Sequence, residues 1–282
     1  MRIVLKLIWA ATLAAFATLG NAQEKAKSDV PDISISPVML DSNNSTGATL
    51  GVEWLIKGKV VSNNLSGSSK ETKDTFDDVA EAAVSKFEVG YKFAGTAAAD
   101  EERNPKNFLE VLLDAKWLYS APAGAVSGGL FGKYEADQSL DNKQYVYGVR
   151  LTVARLGLAH KNRMDFIALD VNLGQVDPGK DEARQAALGT ANLDRYYRWD
   201  VEFLYMYPIA ARGLETLEYN YRYFRETNPP LPVEQAGLDR NKLSTFRLGF
   251  RNDLFVAYST GKLPFDRQSD KIYEVGWSYK YK

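Results

Sequence analysis

The chain has 282 residues, of which 35 are Lys or Arg and 36 are Asp or Glu, so its formal net charge is −1. A balance this close to neutral argues against a nucleic-acid partner, which requires a strongly basic surface. The sequence has no cysteine, which excludes a disulfide framework, thiol chemistry and a lipid-anchored N-terminal cysteine. Its 16 Tyr and 5 Trp are many for a chain whose mean hydropathy is negative, and their positions along the chain indicate the fold.

The first 22 residues have the pattern of a secretory signal peptide. Arg2 and Lys6 form the positive start, residues 7–19 are apolar, and a small-residue cleavage site ends at Ala22. Cleavage before Gln23 leaves 260 residues with 33 Lys or Arg against 36 Asp or Glu, a net charge of −3. The apolar run is shorter than the ~20 residues with which a helix crosses a bilayer. No later stretch approaches that length, so the sequence excludes a helical inner-membrane protein.

Residues 23–47 are predicted to be an N-terminal periplasmic leader or a short strand extension. Within them, 33–40 is a weak strand candidate, because Pro37 cannot donate a ladder hydrogen bond. From residue 48 onward, segments that alternate between apolar and polar residues follow one another, with turn residues between them. The predicted strands are 48–61, 83–95, 107–121, 143–156, 163–175, 195–207, 214–227, 242–251, 254–261 and 271–281.

The last predicted strand has the clearest alternation. Tyr273, Val275, Trp277, Tyr279 and Tyr281 fall on one face, while the residues between them are polar or glycine. Successive side chains of a strand point to opposite sides of the sheet. One aromatic face and one polar face are typical of a strand that lies between hydrocarbon and a polar lumen. The alternative is a soluble sandwich, in which the apolar face packs against a second sheet.

The same stretch carries a family resemblance. Its pattern Glu274-x-Gly276-x-x-Tyr279-x-Tyr281 resembles the C-terminal assembly signal of Gram-negative outer-membrane β-barrel proteins, without indicating a specific family. The resemblance implies a porin-like fold, insertion by the barrel-assembly machinery, and contact with outer-membrane lipids and lipopolysaccharide. We therefore predict an all-β fold, in which residues 48–282 form an antiparallel transmembrane β-barrel that is exported to the outer membrane and is monomeric.

The lengths of the connections predict the number of strands. Barrels of this class have short periplasmic turns, long external loops and an even strand number. With the first strand at 48–61, the long connections are 62–82, 122–142, 176–194, 228–241 and 262–270, and shorter ones alternate with them. This order predicts about ten strands. Twelve strands result if a spanning strand lies within one of the long loops and the N-terminal segment joins the wall.

The polar faces of the predicted strands define the residues expected to line the lumen. Ten cations and nine anions point inward in this assignment. They are Lys57, Lys86, Lys92, Lys116, Arg150, Arg198, Arg222, Arg247, Arg251 and Lys280, with Glu53, Glu88, Glu110, Asp114, Asp170, Asp200, Glu202, Glu218 and Glu274. Because an unpaired charge in a narrow, partly dry space is costly, this near-balance predicts structural ion pairs across strands. The alternative is a charged path for a small solute.

Three functions fit these observations. The first is a narrow, charge-filled barrel that is at most a small or gated solute channel. The second is a surface scaffold that binds through its long external loops, and the third is an outer-membrane surface hydrolase. We predict no enzyme and no catalytic residue, because the single histidine, His160, falls in a predicted periplasmic turn, away from the outer rim. Catalysis by Asp177, Asp181 and Glu182 in the third long loop stays open.

The remaining sequence signals concern ligands. The chain has no zinc spacing, no calcium loop and no glycine-rich phosphate loop, so we expect no metal site and no cofactor. Lys180 and Arg184 in the third long loop and Arg267 in the last one are candidates for binding lipopolysaccharide phosphates, or are ordinary exposed residues.

Overall fold

The computed structural model describes residues 31–44, 47–64, 84–101, 104–121, 124–160, 163–209, 211, 213–266 and 269–281. The predicted signal peptide lies outside the described residues. The strands are β1 (Asp32–Ser42), β2 (Thr49–Asn64), β3 (Val84–Ala98), β4 (Leu109–Ala121), β5 (Gly124–Ala136), β6 (Lys143–His160), β7 (Arg163–Lys180), β8 (Tyr196–Pro208), β9 (Leu214–Thr227), β10 (Arg240–Phe250), β11 (Leu254–Lys262), β12 (Asp270–Trp277) and β13 (Tyr279–Tyr281). Two short helices, α1 (Glu182–Leu188) and α2 (Leu231–Gln235), lie in the connections after β7 and β9.

The strands form one closed antiparallel sheet. Each strand from β1 to β12 pairs with the next, and β1 pairs with both β12 and β13. Val38 is opposite Gly276 and Ile35 is opposite Tyr279, so β12 and β13 continue in a single register along β1. In the same register the pairing is interrupted where Ser36 and Pro37 lie opposite Ser278 and Trp277; Pro37 has no N–H to donate. The barrel wall therefore has twelve strands, and the predicted fold class is confirmed with the larger of its two strand numbers.

The ten-strand prediction lacked two strands that the structure shows in the barrel wall. The first is β1, which the sequence assigned to a leader or short strand extension because of Pro37; in the structure a break in the partner strand accommodates that proline. The second is β5, which the sequence assigned to the long loop 122–142 because of its glycines. At Gly129 a Cβ atom would overlap the carbonyl oxygen of Ala115 on β4. Glycine there permits the close approach of two backbones, and it does not mark a loop.

The two additional strands change which connections share an end of the barrel. We call the end that carries Asp32 and Tyr281 the terminal end, and the opposite end the loop end. The terminal end carries the connections 65–83, 122–123, 161–162, 209–213 and 251–253. The loop end carries 43–48, 99–108, 137–142, 181–195, 228–239 and 263–269. The first two predicted connections therefore exchange sides, while all connections from β6 onward keep the sides that the loop lengths predicted.

The outer face of the barrel is apolar. Leu113, Trp117, Leu130 and Val149 point away from the lumen and are each more than half exposed. Aromatic rings on this face contact one another across neighbouring strands, as Phe87 and Trp117 do with ring centroids 5.3 Å apart. Neither helix in the described part of the chain is long and apolar enough to cross a membrane. The buried side chains, many of them charged, lie inside the barrel.

Candidate functional site

Side chains from nearly opposite walls meet inside the barrel. Arg222 on β9 donates from Nη2 to Oε2 of Glu110 on β4 at 2.9 Å. Four strands separate β4 from β9 around one side of the barrel and six around the other. A direct contact between these two side chains therefore crosses the lumen.

Lys133 on β5 lies at the centre of the same contacts. Its Nζ atom lies 2.7 Å from Oδ2 of Asp200, 2.7 Å from Oε1 of Glu135 and 3.9 Å from Oε2 of Glu110. The guanidinium group of Arg198 donates two hydrogen bonds to Glu135, at 2.8 and 2.9 Å, and two to Asp200, at 2.6 and 2.9 Å. All five side chains are less than 8% exposed. Bidentate, charge-assisted contacts of this kind fix side chains in one arrangement.

Besides these five residues, the group contains Arg222, Lys92 and Glu202. Lys92 pairs with Glu110 at 2.9 Å, and Glu202, which accepts from Asn220 at 2.9 Å, lies opposite Arg222 in the ladder. We call the group the crossing network. It consists of Lys92, Lys133, Arg198, Arg222, Glu110, Glu135, Asp200 and Glu202. Its four cations and four anions leave it without net charge.

An apolar layer packs beside the crossing network, towards the loop end of β9 and β11. Phe108, Phe224, Leu243 and Leu263 are buried against one another, with Phe265 packed beside them; we call these five residues the apolar cap. The ring centroid of Phe108 lies 6.4 Å from that of Phe224, across the lumen. The Arg222 guanidinium is 5.2 Å from the Phe108 ring and 5.3 Å from the Phe224 ring, within cation–π range. The cap and the network thus form one stacked plug.

The charges nearer the terminal end are arranged differently. Arg150 on β6 pairs with Asp170 on the adjacent strand β7 at 2.9 Å and reaches Asp114 on β4 at 3.5 Å. Lys116 pairs with Asp114 at 3.0 Å, and Thr152 contacts Asp170. We call these five residues the wall network. Because its partners are at most two strands apart, it follows the barrel wall and does not cross the lumen.

The structure places the sequence-predicted lumen residues on the inner face, with one exception. Those inside are Glu53, Lys57, Lys86, Glu88, Lys92, Glu110, Asp114, Lys116, Arg150, Asp170, Arg198, Asp200, Glu202, Glu218, Arg222, Arg247, Glu274 and Lys280. Arg251 is the exception: β10 ends at Phe250 after a register shift, so Arg251 lies exposed in the following turn. Its assignment to the lumen is corrected.

Sequence reasoning missed several lumen charges, among them the following four. Lys133 and Glu135 belong to β5, where alternation was present but diluted by glycine. Lys59 pairs with Glu88 at 3.0 Å, beyond the point where the prediction stopped assigning inward residues. Lys106 comes from the connection before β4, so no strand pattern could reveal it; its ammonium pairs with Glu53 at 2.8 Å and also contacts Glu274. Burial opposes that positive charge, but the two carboxylates outweigh it and raise the pKa of Lys106.

The residues of the assembly-signal pattern lie on the closing strand. Glu274 and Gly276 point inward on β12, and Tyr279 and Tyr281 are exposed on the outer face of β13. A Cβ atom at Gly276 would overlap the ring of Phe255 and the side chain of Val38. Packing therefore requires glycine at this position of the seam between β12 and β1.

The candidate hydrolase carboxylates have structural partners. His160 is the last residue of β6, at the terminal end. Asp177 pairs with Arg195 at 2.7 Å, and Glu182 pairs with Lys180 at 3.0 Å. Asp181 accepts from the Arg184 backbone N–H at 3.0 Å and so caps α1; burial raises the pKa of its carboxyl.

The candidate phosphate-binding residues of the third long loop are likewise engaged. Lys180 contacts Glu182, as above, and Asp141 at 3.7 Å. Arg184 is 4% exposed and donates to Glu226 at 2.7 and 2.9 Å, with its guanidinium 4.1 Å from the ring of Tyr196. A buried, paired guanidinium is not a surface ligand, so the suggested phosphate contact at Arg184 is corrected. Arg267 lies outside the described residues.

The mouth above the apolar cap contains a small cavity of about 30 Å³, which Arg184, Tyr196, Asp239 and Asp266 help to line. That volume accommodates one or two water molecules and no larger solute. Within the described part of the chain, Nε of Arg184 and Oδ1 of Asp239 have no hydrogen-bond partner. Asp266 accepts from the Leu263 N–H at 2.7 Å, and burial raises the pKa of its carboxyl to about 7.

Comparison with known proteins found neither a matching family model nor a matching curated protein. The solved structures that the chain resembles are outer-membrane β-barrel proteins. A KdgM porin is 11% identical with a TM-score of 0.39, over 88% of this chain and 99% of the porin. An outer membrane channel from Pseudomonas putida F1 is 9% identical with a TM-score of 0.40, over 93% and 98%. The translocator domain of the autotransporter NalP from Neisseria meningitidis is 12% identical with a TM-score of 0.30, over 99% and 97%.

Proposed function

We propose that the protein is an integral outer-membrane β-barrel whose lumen is closed by the crossing network and the apolar cap, and which passes small solutes only when this plug is displaced. The contact between Arg222 and Glu110, from nearly opposite walls, is the observation that carries the proposal. When the plug is displaced, solutes would pass between the loop end and the less filled terminal half of the lumen.

The location in a membrane is supported by the two faces of the wall. Large apolar side chains such as Leu130 and Val149 are exposed on the outside, whereas the charged groups of the networks are inside. In water so much exposed apolar surface would be costly, while in hydrocarbon it is favourable. The closed sheet leaves no unpaired strand edge to face lipid. Four of the five connections at the terminal end, all except 65–83, are short, and both ends of the described chain lie there, as in barrels whose termini face the periplasm.

The closed state is supported by the burial of the plug. Lys133 is 5% exposed and Glu135 is fully buried, and both are held by partners on other strands. Separating such a buried pair leaves charges without partners, at a cost of about 3–5 kcal/mol. Thermal fluctuation therefore opens the path rarely, and sustained flow requires a ligand or partner that compensates for the lost contacts.

Conductance in planar bilayers tests this proposal. We expect the wild-type protein to give no steady opening, and the double variant Arg222→Ala/Glu110→Ala to give steady, ion-selective steps. Arg150→Ala/Asp170→Ala is the matched control, because it removes an equal number of charges from the wall network; we expect it to behave as wild type. A wild-type protein that conducts as well as the Arg222→Ala/Glu110→Ala variant would disprove closure by the plug.

The surface-scaffold function is the second candidate, and one observation favours it. Side-chain contacts fix the connections at the loop end. Arg184 after β7 binds Glu226 on β9, and Lys262 Nζ donates to the Gly237 carbonyl at 2.8 Å. A surface fixed in this way is preorganised for binding. If the wild-type protein and the Arg222→Ala/Glu110→Ala variant are both silent in bilayers, although folded, the scaffold function is favoured over transport.

A further inference from the structure

Five cations lie on the outer face of four consecutive strands, next to the loop end. They are Arg225 on β9, Arg240 and Lys242 on β10, Lys262 on β11 and Lys271 on β12. All except the half-buried Lys262 are exposed. We call these five residues the basic rim.

The ladder places members of the basic rim directly against each other. Arg240 is opposite Arg225, and Lys242 is opposite Lys262. Like charges directly opposite on one face destabilise a sheet, so this arrangement is unfavourable unless an anion lies between them. Among the residues that the structure describes, neither Arg225 nor Lys242 nor Lys271 forms an ion pair.

Nearby polar groups only partly compensate for the rim. Nε of Arg240 lies 3.3 Å from Oδ2 of the buried Asp239, and Lys262 donates to the Gly237 carbonyl. Asp41 on β1 lies at the edge of the rim, opposite Tyr273. The cations thus outnumber the acids around them.

On the other side of the same end, Lys143 on β6 is opposite Lys180 on β7, but two of the cations there have acidic partners. There, Lys180 contacts Glu182 at 3.0 Å and Asp141 at 3.7 Å, and Arg195 contacts Asp177 at 2.7 Å. Cations without acidic partners are therefore more numerous on the β9–β12 side than on this side of the mouth.

An apolar groove lies on the same strands, further from the loop end. It has a volume of about 410 Å³ and is lined on the outer face by Leu217, Phe246, Leu248, Val256, Tyr258 and Tyr273. Lys271 immediately precedes the groove on β12, and Lys242 lies four residues before Phe246, about 13 Å along the strand. The outward residues between rim and groove on β10 and β11 are the small Ser244 and Thr260. The basic rim and the apolar groove are thus aligned along the outer face of the barrel wall.

We propose that the basic rim and the groove together bind one lipid that carries more than one phosphate group, the chemistry of lipopolysaccharide. Its phosphates would lie between the opposed cations and relieve their repulsion, while an acyl chain would occupy the groove. This assignment rests on the proposed membrane location, since the loop end then faces the outer leaflet. It differs from the phosphate contacts that the sequence suggested at Lys180 and Arg184.

Binding of purified lipopolysaccharide to the folded barrel in zwitterionic detergent tests the assignment. We expect Arg225→Gln/Lys242→Gln to weaken binding about tenfold or more, because two phosphate-facing charges are lost. The control Lys180→Gln/Arg195→Gln removes two paired cations at the same end, and we expect a change of less than about twofold. Dephosphorylated lipopolysaccharide should bind wild type as weakly as the intact lipid binds the rim variant, and inorganic phosphate should not compete.

A second variant examines the groove without altering charge. Val256→Trp fills the groove on the outer face, and we expect it to weaken lipopolysaccharide binding while heat-modifiable migration stays unchanged. The rim variant should also fold, since it removes like-charge repulsion. Equal binding by rim, groove and control variants, or competition by inorganic phosphate, would overturn the lipid site. If the lipid site is overturned in a barrel that still inserts into liposomes, the proposed function stands. Failure of the barrel to insert would contradict the lipid site and the proposed function together.

Discussion

The two halves of the lumen contain the same types of residue but differ in which strands their ion pairs join. In the crossing network, Arg222 reaches Glu110 over four intervening strands, and Lys133 is 5% exposed. In the wall network, Arg150 pairs with Asp170 on the next strand, and Lys116 is 27% exposed. The number of inward charges therefore does not determine whether a barrel is closed. Closure depends on whether partners lie on the same wall or on opposite walls.

The difference arises from the neighbours of the charges. Phe108 and Phe224 fill the space beside the crossing network and hold Arg222 between their rings. Near the terminal end, β6 and β7 present the small pair Ala154 and Ala168 to the lumen, which leaves room for water. Where rings exclude water, ion pairs strengthen and fix the side chains; where water remains, the same pairs are weaker.

Removing the shared anion of the crossing network should have the largest effect. Glu110→Ala leaves Lys92, Lys133 and Arg222 without the carboxylate that they contact. We expect a loss of about 3–5 kcal/mol in the free energy of unfolding, measured by urea titration in lipid vesicles. A loss as small as that of an exposed ion pair would mean that the loop-end half is as hydrated as the terminal half.

Moving a charge from the inner to the outer face tests the premise that both networks lie inside. Val149→Arg, on the outer face near mid-strand, should cost about 2–4 kcal/mol in a bilayer. Asn220→Arg, on the inner face beside Glu202, should cost much less. Equal losses, measured in the same vesicles, would mean that the two faces of the wall are misassigned.

The mouth above the plug should respond to pH through Asp266. The pKa of this carboxyl is raised by burial from an ordinary 3.8 to about 7, so between these values the folded state retains a proton that the unfolded chain has lost. Stability should therefore fall as pH rises from about 4 to about 7 and remain level above. We expect Asp266→Asn, which stays neutral, to remove this fall in stability, which is on the order of 4 kcal/mol across the interval. Parallel pH profiles for the two proteins would contradict this assignment.

The smallest effect is expected at the terminal rim of the lumen. Lys57 pairs with Asp32 at 3.2 Å, but both side chains are more than half exposed. Lys57→Ala should change the free energy of unfolding by less than about 1 kcal/mol. A loss comparable to that of Glu110→Ala would show that ion pairs in the two halves contribute equally, and the contrast between the halves would disappear.

Alternation in the sequence predicted the faces of the strands but not the contacts across the lumen. A period of two tells which side of the wall Arg222 and Glu110 occupy, whereas their meeting depends on barrel closure and on strands 112 residues apart in the chain. The missing strands had physical causes as well. Pro37 suggested a leader because it cannot donate a ladder hydrogen bond, but a break in the partner strand accommodates it. The glycines of β5 suggested a loop, although Gly129 permits close strand packing. Lys106 reaches the lumen from a connection, where alternation carries no information.

The neutrality of the crossing network has a consequence for the energy source that could open it. A transmembrane voltage acts on a moving part in proportion to its net charge, with about 2.3 kcal/mol for each elementary charge carried across 100 mV. A unit of four cations and four anions that shifts together has zero gating charge. A transmembrane voltage therefore does no net work when the whole unit shifts, and that movement depends on chemical or mechanical work.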